Sequence, residues 1–309
     1  MDKSIDIPRV KNKNTDAHHV RNKSTNTHRV KKRAVDLLVH LLLAVLAVVW
    51  LLPIVWIILI SFRKEPGAYT STFLPKSYTL ANYVKLFTDR TLLDFPRMFS
   101  NTLIIAIFCC LISTFFVVSV AFALSRMRFR FRKVFMNMAM ILGLFPGFMA
   151  MVAQYYLLKQ MGLTEGSAIR IGLILAYSAC SGLGFQTMKG YLDTIPASID
   201  EAAMIDGATR WQIFTKIILP LSRPILIYTV LTSFMAPWVD FIFASVICRA
   251  NADQYTVAIG LWEMLSKEYI YQWYTCFAAG AVIVSIPIAA LFIIMQRFYV
   301  EGMSGAIKG

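Results

Sequence analysis

Long apolar runs alternate with shorter polar segments along most of this chain. Delimited by their flanking charges, six apolar runs fall at 37–62, 98–125, 134–158, 171–188, 224–248 and 269–296. Each is 18 to 28 residues long, and ~20 helical residues cross a bilayer. No water is available inside lipid to satisfy backbone N–H and C=O groups, so continuous apolar runs of this length predict helices. The pattern therefore predicts an all-α polytopic membrane protein with six transmembrane helices. Pro53, Gly143, Pro146, Gly147, Gly182, Gly184, Pro237 and Pro287 lie within the runs and mark kinks or close helix packing. The runs divide the chain into a polar tail over 1–34, a first helix with its following loop over 35–97, a transmembrane core over 98–297 and a short tail over 298–309.

The stretch from Pro196 to Pro224 is polar enough to lie outside a membrane, yet it sits between two long apolar runs. Ser198 with Glu201 forms an S-x-x-E capping box that predicts a helix start. Gly207 is placed to end that helix in the left-handed conformation, Thr209 with Gln212 forms a second capping box, and Pro220 limits the second helix. In the first helix Ile199, Ala202, Ala203 and Asp206 share a small-residue face, with Asp200 and Glu201 beside it. In the second, Trp211, Phe214, Ile217 and Ile218 form a large apolar face suited to packing back on the protein. On spacing alone this is either an amphipathic interfacial pair joining two spans or a small-faced helix built to enter a cleft in another molecule.

Charge fixes the expected orientation. The chain carries a net +14, and residues 1–33 hold ten Lys/Arg against three Asp. With the N-terminus inside, the inner segments carry twenty-one Lys/Arg and the outer ones ten. That bias places both termini and the 189–223 loop in the cytoplasm and the 63–97 and 249–268 loops outside. A basic balance of this kind reflects topology and not nucleic acid. The 1–33 tail has almost no apolar content and a weak ten-residue repeat, VKNKNTDAHH against VRNKSTNTHR. It reads as a disordered, solvated segment, and His18, His19 and His28 as part of it and not as a metal site.

Candidate chemistry is sparse. Asp240, beside Pro237 and Trp238, is the one carboxylate well inside an apolar run. Such a charge is costly in a membrane, so it is either paired for structure or placed at a translocation path or subunit interface. The odd number of cysteines, five, without metal-ligand spacing, reads as small core residues. No G-x-x-x-x-G-K-[ST] motif occurs, so no P-loop nucleotide site is expected in this chain. No acid/base or nucleophile pair argues for an enzyme.

The loop residues carry a more specific signal. Glu201, Ala202, Ala203, Asp206, Gly207 and Ala208, closed by Leu219-Pro220, resemble the EAA loop of permease subunits in bacterial binding-protein-dependent ABC importers. The chain end, Gln296-Arg297-Phe298-Tyr299 through Gly302 and then Gly305-Ala306-Ile307-Lys308-Gly309, looks like the end of the maltose-type sugar permeases, the smaller of the two permeases in that system. Glu301 departs from the basic or small residue more usual there. Asn101-Thr102-Leu103, Ala121 to Arg126 and Met188-Lys189-Gly190-Tyr191 match as well, so the resemblance covers 35–309. It implies a type I importer permease fold and a carbohydrate cargo of malto-oligosaccharide type. It implies that the loop couples to a cytoplasmic P-loop ATPase dimer, with a second contact through Gly305, Lys308 and Gly309. It also implies a second homologous permease, an external solute-binding protein, and ATP and magnesium held on the ATPase and not on this chain. The alternative from another class is a self-contained secondary transporter, for which six spans and one buried carboxylate make a poor ion site.

Overall fold

The structure is a computed structural model that describes residues 14–68, 72, 74–249 and 251–306; for 14–34, 181–182 and 297–306 it describes the backbone alone. The chain forms two units, Met1–Trp56 and Ile57–Gly309. Helix α1 spans Asn14–Ser61, and the side chains of its apolar part from Val35 to Val55 are exposed throughout. The backbone of residues 14–33 is helical where their polar, basic composition predicts disorder. No glycine or proline interrupts the chain between Val10 and Leu52, so a helix nucleated by the apolar run meets no breaker on its way toward the N-terminus. Residues 1–13, and the side chains of His18, His19 and His28, lie outside the described residues.

The second unit is built along one long helix. After α2 (Ala81–Thr88), α3 runs over Phe95–Arg126. It contributes to three successive cores: Phe95 and Met98 to the first, Ile105 and Cys109 to the second, and Val117, Val118, Ala121 and Leu124 to the third. Helices α4 (Arg132–Gly143), α5 (Gly147–Gln160), α6 (Ala168–Gly182) and α7 (Phe185–Thr194) follow. Beyond the polar loop come α8 (Ala197–Ile205), α9 (Arg210–Leu221), α10 (Arg223–Val239), α11 (Ile242–Cys248), α12 (Val257–Glu263) and α13 (Ile270–Ala306). No named strand occurs among the described residues; the one isolated bridge pairs Arg63 with Tyr78.

Four helical stretches are long and apolar enough to cross a membrane: Val35–Ser61, Phe95–Arg126, Ala168–Thr194 and Ile270–Gln296. Two bent pairs bring the number to six, α4 with α5 at 104° and α9 with α10 at 80°. The first bend falls at Leu144-Phe145-Pro146, where the proline cannot continue the helix, as the sequence predicts. The run at 224–248 is itself two helices, broken at Asp240 just after Pro237. Pro53 and Pro287, by contrast, lie inside continuous helices.

Side-chain contacts group the connecting segments at two ends. At one end Asn82 Nδ2 donates to the carbonyls of Ser61 at 3.0 Å and Arg63 at 2.7 Å, while its Oδ1 accepts from Thr275 at 3.0 Å. Arg63 is 3% exposed; it donates to the carbonyls of Glu65 and Gly67 and lies 5.8 Å from the Tyr274 ring centre. The first loop is therefore an anchored element and not a plain surface loop. Asn101 Nδ2 donates to the carbonyls of Asp253 at 2.9 Å and Tyr255 at 3.2 Å, and Thr102 Oγ1 accepts from the Val257 N–H at 2.9 Å. The contacts of Arg126 with Ile195 and Asp200 gather 126–133 and 189–223 at the other end. Among the described residues, 126–133 thus lies with 189–223 and 63–97 with 249–268.

Close packing depends on Gly172 of α6. A Cβ there would stand 2.6 Å from the Leu163 carbonyl oxygen, a backbone atom that cannot swing aside. Overpacking of a tight site costs ~1–3 kcal/mol. Gly172→Ala is therefore expected to lower the melting temperature of the purified protein by several degrees, whereas Gly143→Ala, with nothing within 4 Å of the added atom, leaves it nearly unchanged. Thermal unfolding of the two variants side by side measures this.

Candidate functional site

The polar loop folds as helix, glycine, helix. Helix α8 begins at Ala197 with Pro196 as its cap, φ −57° and ψ 132°, and no side chain caps it. This corrects the predicted Ser198–Glu201 capping box. The proline's fixed φ sets the turn into the helix, so the helix starts earlier and Ser198 falls inside its first turn. At the far end Gly207 adopts φ +82°. Its N–H donates to the Met204 carbonyl at 3.1 Å, and the Ala208 N–H donates to the Ala203 carbonyl at 2.9 Å. This is the paired bonding of a Schellman termination, for which glycine has no Cβ penalty. The second predicted capping box is present: Thr209 Oγ1 accepts from the Gln212 N–H at 3.3 Å, and Gln212 Oε1 accepts from the Thr209 N–H at 2.8 Å.

Helix α9 differs from expectation in which face it buries. Ile213–Ile218 forms a π-helical turn directly ahead of Pro220. A regular helix would press the proline ring against the Lys216 carbonyl, and the wider turn relieves that clash. The widening brings Ile213 and Ile218, five apart, onto the buried side, where Phe214 also packs, 4.7 Å from the Phe122 ring. Trp211, expected on that face, is instead 70% exposed. Pro220 was the sequence signal for this shift.

The loop is held to α3 by charge. Arg126 and Asp200 form an ion pair at 3.1 Å, with side chains 10% and 12% exposed, and Arg126 also donates to the Ile195 carbonyl at 2.9 Å. Next to it, Ser125 Oγ donates to Asp193 at 2.7 Å, and Lys189 pairs with the same carboxylate. Tyr191 reaches the Leu221 carbonyl at 3.2 Å. Asp200 is the residue that sequence reasoning underrated. A helix turns ~100° per residue, so Asp200 faces inward while Glu201 faces solvent. The side chains of Glu201 and Asp206 make no hydrogen bond or ion pair among the described residues, and Asp206 is held only through its backbone N–H, which donates to the Ala202 carbonyl at 3.0 Å. Glu201, Ala202, Asp206 and Gly207 are exposed, and Ala203 and Ala208 half-buried. The most exposed large apolar side chain of the loop is Ile205, at 87% exposure, with Met204 beside it. A rigid, polar-flanked loop thus presents an apolar tip that nothing in the chain covers among the described residues.

A second feature lies within the spans. A cavity of about 590 Å³ opens where the α4–α5 bend meets α6 and α11, and its lining includes Phe145, Phe148, Gln154, Tyr177, Cys180 and Asp240. Tyr177 Oη donates to Asp240 Oδ2 at 2.7 Å, and the Phe243 N–H donates to Asp240 Oδ1 at 3.2 Å. Asp240 is thus structurally paired and also part of the cavity lining. Pro237 and Trp238 do not join it in the lining. Both are buried on the other side of α10, where the Trp238 ring packs 5.4 Å from Phe99 of α3. Cys180 also lines the cavity, unlike Cys109, Cys248 and Cys276, which are buried as expected of small core residues. At the chain end, Gly305 falls on helix α13, and Lys308 and Gly309 lie outside the described residues.

The buried pair makes a direct prediction. The pair is a close charge contact and not a well-formed hydrogen bond, since Arg126 Nε and Asp200 Oδ1 lack a hydrogen-bond partner, and removing one partner leaves the other charge buried without its counterion. Asp200→Asn is expected to loosen the loop and expose Lys189 and Arg210 to rapid trypsin cleavage in membranes, while Glu201→Gln leaves the digestion pattern unchanged. Equal protection in both variants would contradict the anchoring role.

Comparison with known proteins agrees with this arrangement. Residues 116–305 match the family model described as "Binding-protein-dependent transport system inner membrane component". The chain is 35% identical over 272 residues to the galactooligosaccharides transport system permease protein GanQ of Bacillus subtilis (strain 168), covering 87% of this chain and 94% of that one. It is 34% identical over 277 residues to the maltodextrin transport system permease protein MdxG of the same organism, covering 87% and 95%. Among solved structures, it superposes with a TM-score of 0.70 and 25% identity on a chain of a bacterial ABC transporter involved in the import of the acidic polysaccharide alginate, covering 86% of this chain and 97% of that one. With the six-span helical fold and the exposed loop, these likenesses make the chain a member of the family of inner membrane components of binding-protein-dependent transport systems.

Proposed function

We propose that this chain is one of two permease subunits of an ATP-driven importer for neutral oligosaccharides of the malto-oligosaccharide type. The exposed loop from Glu201 to Ala208 carries the reading: a helix pair fixed to α3 by a buried ion pair, with Ile205 and Met204 projecting where a partner can seat. Relatives named for galactooligosaccharides and maltodextrin support a carbohydrate cargo. The cavity lining supports a neutral one. It holds the carboxylate of Asp240, the amide of Gln154 and several aromatic rings, but no lysine or arginine. A carboxylate accepts hydrogen bonds from sugar hydroxyls, and an acidic sugar entering the same space would meet like charge without a counterion.

In this reading a cytoplasmic P-loop ATPase dimer holds ATP and magnesium, and its closure moves α8. The motion passes through Arg126–Asp200 into α3, which runs the length of the core and switches the cavity between the two sides of the membrane. An external solute-binding protein delivers cargo at the end bearing 63–97 and 249–268. Both termini lie in the cytoplasm, where Gly305, Lys308 and Gly309 supply a second ATPase contact. This is coupling between separate sites through a two-state element, with no bond chemistry in this chain.

Gly207 tests the coupling without a steric confound, since a Cβ there meets nothing within 4 Å. The left-handed conformation alone costs a side-chain-bearing residue roughly 1–2 kcal/mol, more for a β-branched one. In the reconstituted transporter with receptor and sugar, Gly207→Val is expected to abolish solute-stimulated ATP hydrolysis, and Gly207→Asn to retain a part of it. Full stimulation in Gly207→Val would overturn the coupling role. Asp240→Asn keeps the cavity shape and is expected to cut sugar transport at least tenfold while leaving assembly with the ATPase intact; unchanged transport would remove Asp240 from the path.

A further inference from the structure

Beside the loop, four arginines from separate elements line one cleft of about 480 Å³: Arg126 at the end of α3, Arg128 after it, Arg132 at the start of α4 and Arg210 at the start of α9. Arg126 is committed to Asp200. Arg128, Arg132 and Arg210 have no ion-pair partner among the described residues, and Glu201 is the one other carboxylate in the lining. The cleft therefore holds three guanidiniums outside any close ion pair against one exposed acid, although Arg132 is near enough to the Asp193 carboxylate to help hold its pKa down.

Its surroundings specify the kind of anion. The segment Arg126-Met127-Arg128-Phe129-Arg130-Phe131-Arg132 alternates cations with large apolar side chains, and Phe129 and Phe131 are exposed. It follows a membrane-spanning helix without a spacer, so it lies at the depth of the lipid headgroups. Aromatic rings favour that interface, and guanidiniums there meet phosphates. The apolar surface continues from the cleft along α4, where Val134, Phe135, Met138 and Ile141 are exposed. Charged cleft and apolar track together match the headgroup and the acyl chains of one molecule. A site for an acidic protein segment would need the cations without the track.

We infer that Arg128, Arg132 and Arg210 bind the phosphate of an anionic phospholipid headgroup, with its acyl chains along α4, so that one lipid bridges the foot of α3 and the start of α9. Arg210 belongs to the coupling loop, so the lipid stiffens the joint through which the proposed coupling passes. The inference rests on the membrane-spanning reading of α3 and α4. Its readout is lipid retention, which is independent of cargo and of ATP hydrolysis, so its failure and the failure of the importer reading are separable.

The test is native mass spectrometry of the purified full chain, with and without its ATPase partner, titrated with phosphatidylglycerol or phosphatidylcholine. Each basic residue near an anionic surface is worth about fivefold in affinity, and Glu201 offsets one of the three. Phosphatidylglycerol is expected to be retained at least about tenfold more strongly than phosphatidylcholine. Arg128→Gln, an exposed position with no partner among the described residues, is expected to weaken retention about fivefold without loss of fold. The combined Arg128→Gln, Arg132→Gln and Arg210→Gln variant is expected to abolish the preference, and Arg130→Gln with Lys133→Gln, outside the cleft, to preserve it. No lipid preference in the native chain, or equal losses in the cleft and control variants, would overturn the site. Displacement by equimolar inorganic phosphate would make it a free-anion site, and displacement by the ATPase a protein contact; either overturns the lipid assignment.

Discussion

The guanidinium of Arg126 and the carboxylate of Asp200 stand 3.1 Å apart with little exposure to solvent. Desolvating two charges is expensive, and their attraction recovers that cost only in good geometry. A packed apolar pair would hold α8 to α3 at less expense but without fixing direction. Here the charge pair, the Arg126 bond to the Ile195 carbonyl and the Ser125–Asp193–Lys189 group act on neighbouring turns. They fix the orientation of the loop relative to the one helix that traverses all three cores. Everything proposed about coupling depends on that joint being stiff.

Stiffness at the loop contrasts with interruption in the spans. Helix α4 turns into α5 at 104°, and α10 stops at Asp240 before α11 resumes. Broken helices inside a membrane free backbone groups that need partners, and here they border a cavity or receive side-chain caps, such as Asp240 to the Phe243 N–H. In the proposed coupling, continuous α3 conveys position while the broken helices shape a space with a few polar groups. Asp240 holds Tyr177 and is part of the cavity lining.

The local features of the site were legible in the sequence because their causes are local. Gly207 in the left-handed region and the Thr209–Gln212 box depend on residues within one turn, and both are present. The matching stretches at 101–103, 121–126 and 188–191 gain a physical meaning from the contacts: Asn101 and Thr102 bind the 253–257 backbone, and Ser125 meets Lys189 through Asp193. What depended on distant neighbours was not legible. Five cations cluster at 126–133, and only packing selects Arg126 as the partner of Asp200. Register misled in α8, where Pro196 and not Ser198 caps the helix, and in α9, where the π turn exchanged Trp211 for Ile213 on the buried face.

The most direct measurement places a photo-crosslinking amino acid at Ile205, the most exposed large apolar side chain of the loop, in the full chain in its native membrane. Covalent capture of a P-loop ATPase, with yield that changes when ATP is added, is the expected result. Reaction with lipid alone, or with no ATPase, would contradict the claim that this loop is where the energy source engages the permease.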